Sequence, residues 1–303
     1  SALEVDRLDD LVVDRLYLKY FDVAWDNGAN MAVPQAKISF GKSPKQEVVP
    51  TVYVTNEAIR KTGEKGAKTL ADKVHQLILD RHLATLPQPK EIQIDCDWTQ
   101  STRAAYFAFL DRLAMRLNSQ NIQLSATIRL HQIKFHKKTG VPPVARGMLM
   151  FYNMGNLDDA NEENSILNVA EGKKYIDKLN KYPLPLDAAL PIFSWAVLIR
   201  QGKPFKLLNN LRIESVERFP WVHEVGGNVL EIDSSHYLKG HYLYPGDRIR
   251  FEAVEHSALL EAASLLQSKL ANSARHISLY HLDSAAIVHY PKPQIEAVFT
   301  TFE

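Results

Sequence analysis

The feature that most restricts the fold of this chain is an alternation. Apolar runs rich in β-branched and aromatic residues take turns with amphipathic stretches of helical period, the pattern of βα units around a parallel sheet. The runs expected as strands are Leu16 to Val23, Ala36 to Phe40, Val48 to Val54, Glu91 to Trp98, Ile122 to Ile128, Met148 to Asn153, Asp187 to Trp195 and His276 to Leu282. Between Thr102 and Gln120, the residues Tyr106, Leu110, Leu113 and Leu117 recur at helical spacing, with Thr99 and Ser101 as expected caps. Thr69 to Leu83, Ser165 to Asn180 and Ser257 to Leu270 read the same way. The pattern predicts an α/β fold, a TIM (β/α)8 barrel, formed as a single domain over residues 1–303.

One span breaks the rhythm. Residues 200–254 hold short strand-like runs and the turns Gly226-Gly227 and Tyr244-Pro245-Gly246-Asp247, with no helical period. It is expected to be a β-rich insertion before the last helix and strand, near the face where the βα loops of a barrel gather.

The 36 basic and 35 acidic residues nearly cancel without long blocks of either sign, so no nucleic-acid partner is expected. The single cysteine, Cys96, excludes an internal disulfide and a multi-cysteine metal site. Neither G-x-G-x-x-G nor G-x-x-x-x-G-K occurs, so no nucleotide cofactor is expected. His131 and His136 lack the spacing and carboxylate companion of a metal site, and none is expected. There is no apolar run long enough for a membrane span, and Ser1-Ala2-Leu3-Glu4 has no secretory apolar core. A signal or lipid anchor preceding residue 1 is not excluded, so export and a periplasmic or surface lipoprotein stay open.

Chemistry concentrates at the end of the run Glu91 to Thr99. Side chains alternate faces along a strand, so Asp95, Asp97 and Thr99 share one side. Two carboxylates held close together perturb each other's protonation and can serve as the acid and base that cleavage of a glycosidic bond needs. The structural alternative is that they cap the next helix or pair with a neighbouring cation.

Asp95-Cys96-Asp97-Trp98 resembles part of the fourth-strand signature D-G-x-D-x-D-x-E of the family 18 glycoside hydrolases, the chitinases and endo-N-acetylglucosaminidases. Leu124-Ser125-Ala126-Thr127 is similar to that family's fifth strand, Met150-Phe151-Tyr152-Asn153-Met154-Gly155 to its sixth-strand M-x-Y-D run, and Leu190-Pro191-Ile192-Phe193-Ser194-Trp195 to its seventh. The resemblance covers about residues 90 to 195. It implies a divergent bacterial branch in which Ile92 and Gln93 replace the leading Asp and Gly, and Thr99 stands where the general-acid glutamate belongs. It also implies Asp97 as the carboxylate that orients an N-acetyl group, Asp95 as its support, and Tyr152 as the phenol at the acetamide, with Asn153 in place of an Asp.

Candidates for a replacement acid are Asp22, Asp26, Glu57 and Asp283. Trp195 is the first choice among Trp25, Trp98, Trp195 and Trp221 for stacking on a sugar, whereas Trp98 is expected to face the helices. Arg129 is expected to pair with an acidic neighbour such as Asp97 or to bind a ligand. His281 and Asp283 are expected on one face of the last strand. The function expected is a carbohydrate-active barrel, glycoside hydrolase-like, acting on or binding a glycan at the C-terminal rim; the alternative is a glycan-binding or scaffold protein that has lost the acid. Protein partners are not read from the sequence.

Overall fold

Strand β1 (Arg15–Asp26) runs parallel to β3 (Glu47–Val54), β3 to β4 (Glu91–Asp95), β4 to β5 (Gln123–Arg129) and β5 to β6 (Arg146–Met150). The computed structural model describes residues 8, 10, 11, 13–159, 162–177, 179–271 and 275–302; the opening Ser1 to Glu4 and residue 178 of the expected Ser165 to Asn180 helix lie outside them. With β2 (Met31–Gln35), β7 (Leu186–Pro191) and β15 (Ile277–Tyr280), the sheet has eight strands in the order β15-β7-β6-β5-β4-β3-β1-β2. The fold is mixed α/β, as the alternation predicts.

The second expected strand is corrected. Residues Ala36 to Phe40 form no strand; β1 instead continues to Asp26 and turns back into β2 as an antiparallel hairpin. The turn Asp26-Asn27-Gly28-Ala29-Asn30 explains it: Asp26 Oδ1 accepts from Ala29 N at 2.9 Å and Asn30 adopts a left-handed φ of 49°. Pro34 is tolerated because β2 is an edge strand.

Contacts divide the described chain into two compact units. The first draws on Ser1–Met150, Ile176–Ala188 and Leu270–His276, the second on Phe151–Tyr175, Ala189–Lys269 and Ile277–Glu303. In the first, helices α1 (Asn56–Arg81) and α2 (Arg103–Asn118) pack on each other and on the strands, with Val74, Ile78, Leu110 and Leu113 buried alongside Ile92 and Ile94 of β4. Each such aliphatic side chain contributes about 1.5–3 kcal/mol by leaving water. Helix α1 begins at Asn56, earlier than Thr69, because the Thr55 hydroxyl caps it, and it kinks at Gly63, whose φ of 64° suits a residue without Cβ. The cap of α2 is also corrected: Thr102, not Thr99 or Ser101, holds the N-cap position.

In the second unit, β8 (Trp195–Arg200), β9 (Lys203–Asn209), β10 (Val222–Gly226), β11 (Val229–Ile232) and β14 (Arg248–Glu252) form an antiparallel sheet in the order β10-β11-β14-β8-β9. Ala196, Leu198, Leu230, Ile249 and Phe251 lie in one apolar cluster with Trp221. Strands β12 (His236–Leu238) and β13 (His241–Leu243) make a separate hairpin. The β-rich span is thus extra sheet, beginning at Trp195. The expected strand Asp187 to Trp195 is therefore two strands, interrupted after Pro191, and after the short helices α3 (Leu130–Lys134) and α4 (His136–Thr139) the expected Ser165 to Asn180 helix is only α5 (Val169–Ile176). Helix α6 (His256–Lys269) matches expectation, whereas α7 (Ser284–Ile287) and α8 (Lys292–Phe302) follow the last strand unpredicted. No described helix is long and apolar enough to cross a membrane.

Candidate functional site

The pleat of β4 sorts its residues. Ile92, Ile94, Cys96 and Trp98 are buried on one side, where Trp98 stacks on Tyr106 of α2 at 5.1 Å and donates from Nε1 to the Thr139 carbonyl. Glu91, Gln93, Asp95 and Asp97 take the other side. Strand β4 ends at Asp95, short of the expected Trp98, but the alternation persists through the next residues.

The parallel register of β4 and β5 then brings two rungs together. Thr127 Oγ1 donates to Asp95 Oδ1 at 2.6 Å, and two residues further Arg129 Nη2 donates to Asp97 Oδ2 at 2.6 Å, with Arg129 Nε against Asp97 Oδ1 as well. One charge-assisted hydrogen bond within an ion pair thus holds the two groups together. Asp22 of β1 and Tyr53 of β3 lie in register with each other, and Tyr53 with Asp95. Asp22 Oδ1 is buried without a hydrogen-bond partner. The strand ends thus gather carboxylates, a phenol and a guanidinium on one face of the first unit.

Burial pushes the Asp95 carboxyl above the usual carboxylate range; the Thr127 hydrogen bond opposes this, while the charges of Asp97 and Asp22 reinforce it. Burial also raises the Tyr53 phenol, with Asp97 and Asp95 acting in the same direction. The Cys96 thiol is pushed well up by burial, which makes it inert. His131 is lowered by burial and by Arg129, which favours neutral imidazole.

Thr99, expected to stand in place of an acid, is exposed and engaged otherwise. Its Oγ1 lies 2.9 Å from Ser101 Oγ, and its backbone N donates to Thr102 Oγ1 at 2.9 Å. Among the replacement acids, Asp26 caps the β1–β2 turn and Glu57 is an exposed residue paired with Lys61 at 3.0 Å. Of the four, Asp22 is the one whose charge acts on Asp95.

The remaining candidates belong to the second unit. Tyr152 is buried, stacked on Tyr280 at 5.4 Å and edge-on to Phe193. Asn153 is exposed at a φ of 54° and donates its backbone N to the Ile166 carbonyl. Trp195 is buried, 5.2 Å from Phe193, and donates from Nε1 to Glu252 Oε2 at 2.9 Å. His281 and Asp283 lie beyond β15, not on it: Asp283 caps α7 through Ala285 N and accepts from Asn210, and His281 Nε2 is 3.6 Å from its carboxylate. Burial works to raise the Asp283 carboxyl, but these hydrogen bonds and His281 hold it below the usual range.

Sequence reasoning missed Thr127 and Tyr53 as members of the site. The alternating polar run Ser125, Thr127, Arg129 was the available signal for the first. Among the described residues, no group of three or more His, Cys, Asp or Glu side chains is placed to hold a metal ion.

No protein-family model matches the sequence, and no curated protein does. Solved structures do. A chitinase of Chromobacterium violaceum superposes with a TM-score of 0.64 at 10% identity, covering 98% of this chain and 94% of its own. The fold is chitinase-like. The spore cortex-lytic enzyme SleL of Bacillus cereus gives a TM-score of 0.60 at 12% identity, over 99% of this chain and 70% of its own. The class V chitinase of Nicotiana tobaccum gives 0.57 at 10% identity, over 98% and 94%, and a mutant of it has been solved in complex with NAG4. At these identities the chitinase-like architecture is what is shared, and activity has to be argued from this chain's own side chains.

Proposed function

We propose that this protein is a carbohydrate-active barrel that binds an N-acetylated glycan at the carboxyl ends of its strands without cleaving it. A closed (β/α)8 barrel is part of this reading. The carrying observation is the Arg129–Asp97 pair. A carboxylate hydrogen-bonded and ion-paired to a guanidinium is not free to orient an acetamide during cleavage, yet its pair still offers donor and acceptor positions to sugar hydroxyls. Thr99, with a hydroxyl in place of an acid, supports the same conclusion, because a hydroxyl does not protonate a leaving oxygen at useful pH. The ligand class rests on the chitinase-like fold and on the sequence resemblance around Asp95 and Asp97. Asp95 and Asp97 remain the proposed centre and Arg129 a proposed ligand contact. Tyr152, Asn153 and Trp195 are proposed as separate contributors to glycan recognition.

A second reading is favoured by one observation. The raised Asp95 carboxyl would retain its proton closer to neutral pH than an ordinary aspartate, so it is the group best suited to act as acid in a hydrolase. Incubating the protein with chitotetraose and chitohexaose and separating the products distinguishes the two. Saturable binding with intact oligosaccharide supports the binding reading. Release of shorter sugars that disappears in Asp95→Asn supports hydrolysis.

A further inference from the structure

The sheet of the second unit has two faces. Residues Leu230, Ile249 and Phe251 enter the apolar cluster, while the alternate residues Val229, Arg248 and Arg250, with Ile199 opposite Arg248 in register, face the other way. On that other face lies an open cleft of about 840 Å³, lined among others by Glu162, Glu163, Ile199, Val225 and Arg250. Its size is that of small-molecule sites in general.

Arg250 is the unusual member. It is 1% exposed, and two of its nitrogens are used: Nε donates to Glu252 Oε1 at 2.8 Å and Nη1 to the Asp159 carbonyl at 2.7 Å. Its Nη2 is buried with no acceptor. Leaving a buried donor unpaired costs about 1–3 kcal/mol, more for a charged group, and folded proteins leave few such groups without a reason. The guanidinium is also held rigidly, since Glu252 accepts from Ser165 N and Oγ and from Trp195 Nε1 besides Arg250.

The charges select the ligand. Arg250 is balanced by Glu252, and Arg248 by Glu231 at 2.8 Å, so Glu162 and Glu163 leave the lining acidic and opposed to an anion. Glycines 202, 226, 227 and 246 line the cleft at positive φ with nothing within 4 Å of where a Cβ would stand, which leaves bare backbone for a ligand to approach. Acceptor carboxylates beside bare glycine backbone suit a molecule rich in hydroxyls.

We propose that this cleft is a second binding site, for a neutral oligosaccharide whose hydroxyls donate to Glu162 and Glu163, with the rigid, charge-balanced Arg250 forming part of its wall. It lies wholly in the second unit and does not depend on the Asp97 site.

Methyl-labelled full-length protein provides the test, with chitotetraose, cellotetraose and tetragalacturonate as probes. The Ile199 and Val229 methyl signals shift saturably with at least one of the neutral tetrasaccharides, in the unsubstituted protein and equally in Asp97→Asn. Tetragalacturonate leaves them in place. Val225→Trp, at an edge-strand position 41% exposed, blocks the cleft and removes the shift, and Glu163→Gln weakens it about fivefold, the difference between a charged and a neutral acceptor. The proposal is overturned if neither neutral saccharide moves these signals, if the uronate moves them as strongly, or if Val225→Trp changes nothing. Ile94 and Ile128 report the other site separately.

Discussion

Asp95 and Asp97 do different work although they stand two residues apart. Asp95 is partly buried against Thr127 and titrates above an ordinary aspartate, so the folded state loses stability as pH rises from the unfolded carboxylate value of 3.8 and Asp95 is driven to ionise. Asp95→Asn keeps an acceptor for Thr127 and removes that loss. The variant should therefore gain thermal stability relative to the unsubstituted protein between pH 4 and pH 7; a difference that stays constant or reverses across that interval contradicts the assignment. Arg129→Gln removes the charged partner of Asp97, and we expect glycan affinity to fall about tenfold or more, the size of one charge-assisted hydrogen bond, measured by titration calorimetry. The two carboxylates and the Arg129 pairing were legible in the sequence because strand periodicity alone puts Asp95 and Asp97 on one side and places Arg129 at the end of the next strand. Tyr53 and Thr127 were not, because their membership depends on register between strands, which no local pattern encodes.

At the scale of elements, the turn from β4 into α2 carries the proposed centre at Asp97. Trp98 anchors it between Tyr106, Phe107 and the Thr139 carbonyl while Asp97 beside it faces the other way. Trp98→Ala should cost about 3–5 kcal/mol in chemical denaturation and loosen Asp97 with it; a loss below 1 kcal/mol would mean that the anchor is elsewhere. Helices α1 and α2 are tied by Asp72, which accepts from Arg112 Nε and Nη2 at 2.9 Å each and from Arg116 at 2.8 Å. The Arg112 and Arg116 hydrogen bonds lower its carboxyl to about 2, so this contribution is complete above the unfolded carboxylate value and fades as pH falls from there toward 2. Because the carboxylate is a third exposed, Asp72→Asn should cost only about 0.5–1 kcal/mol at pH 7, and less at pH 3. Most strands and long helices could be read from apolar period, but the β1–β2 hairpin could not. There the weak apolar run Ala36 to Phe40 outweighed the turn chemistry of Asp26 to Asn30, which in the folded chain prevails.

At the scale of the whole molecule, a chitinase-like fold recurs in a chain that shares about a tenth of its residues with the solved chitinases. The parallel order was legible because βα alternation is a global pattern. The start of the extra sheet was not, because the buried run from Asp187 to Arg200 is apolar nearly throughout and conceals the break after Pro191. The near-balance of 36 basic and 35 acidic residues has a consequence for binding. A neutral glycan held by hydrogen bonds should bind with an affinity that changes less than about twofold between 50 and 300 mM salt, whereas a polyanion would lose far more. The most direct test of the central claim is titration calorimetry of the intact protein with chitotetraose, followed by product separation from the same cell. The account predicts saturable binding, weakened in Arg129→Gln, with the tetrasaccharide recovered uncut. Recovery of shorter sugars, or an affinity that Arg129→Gln leaves unchanged, would contradict it.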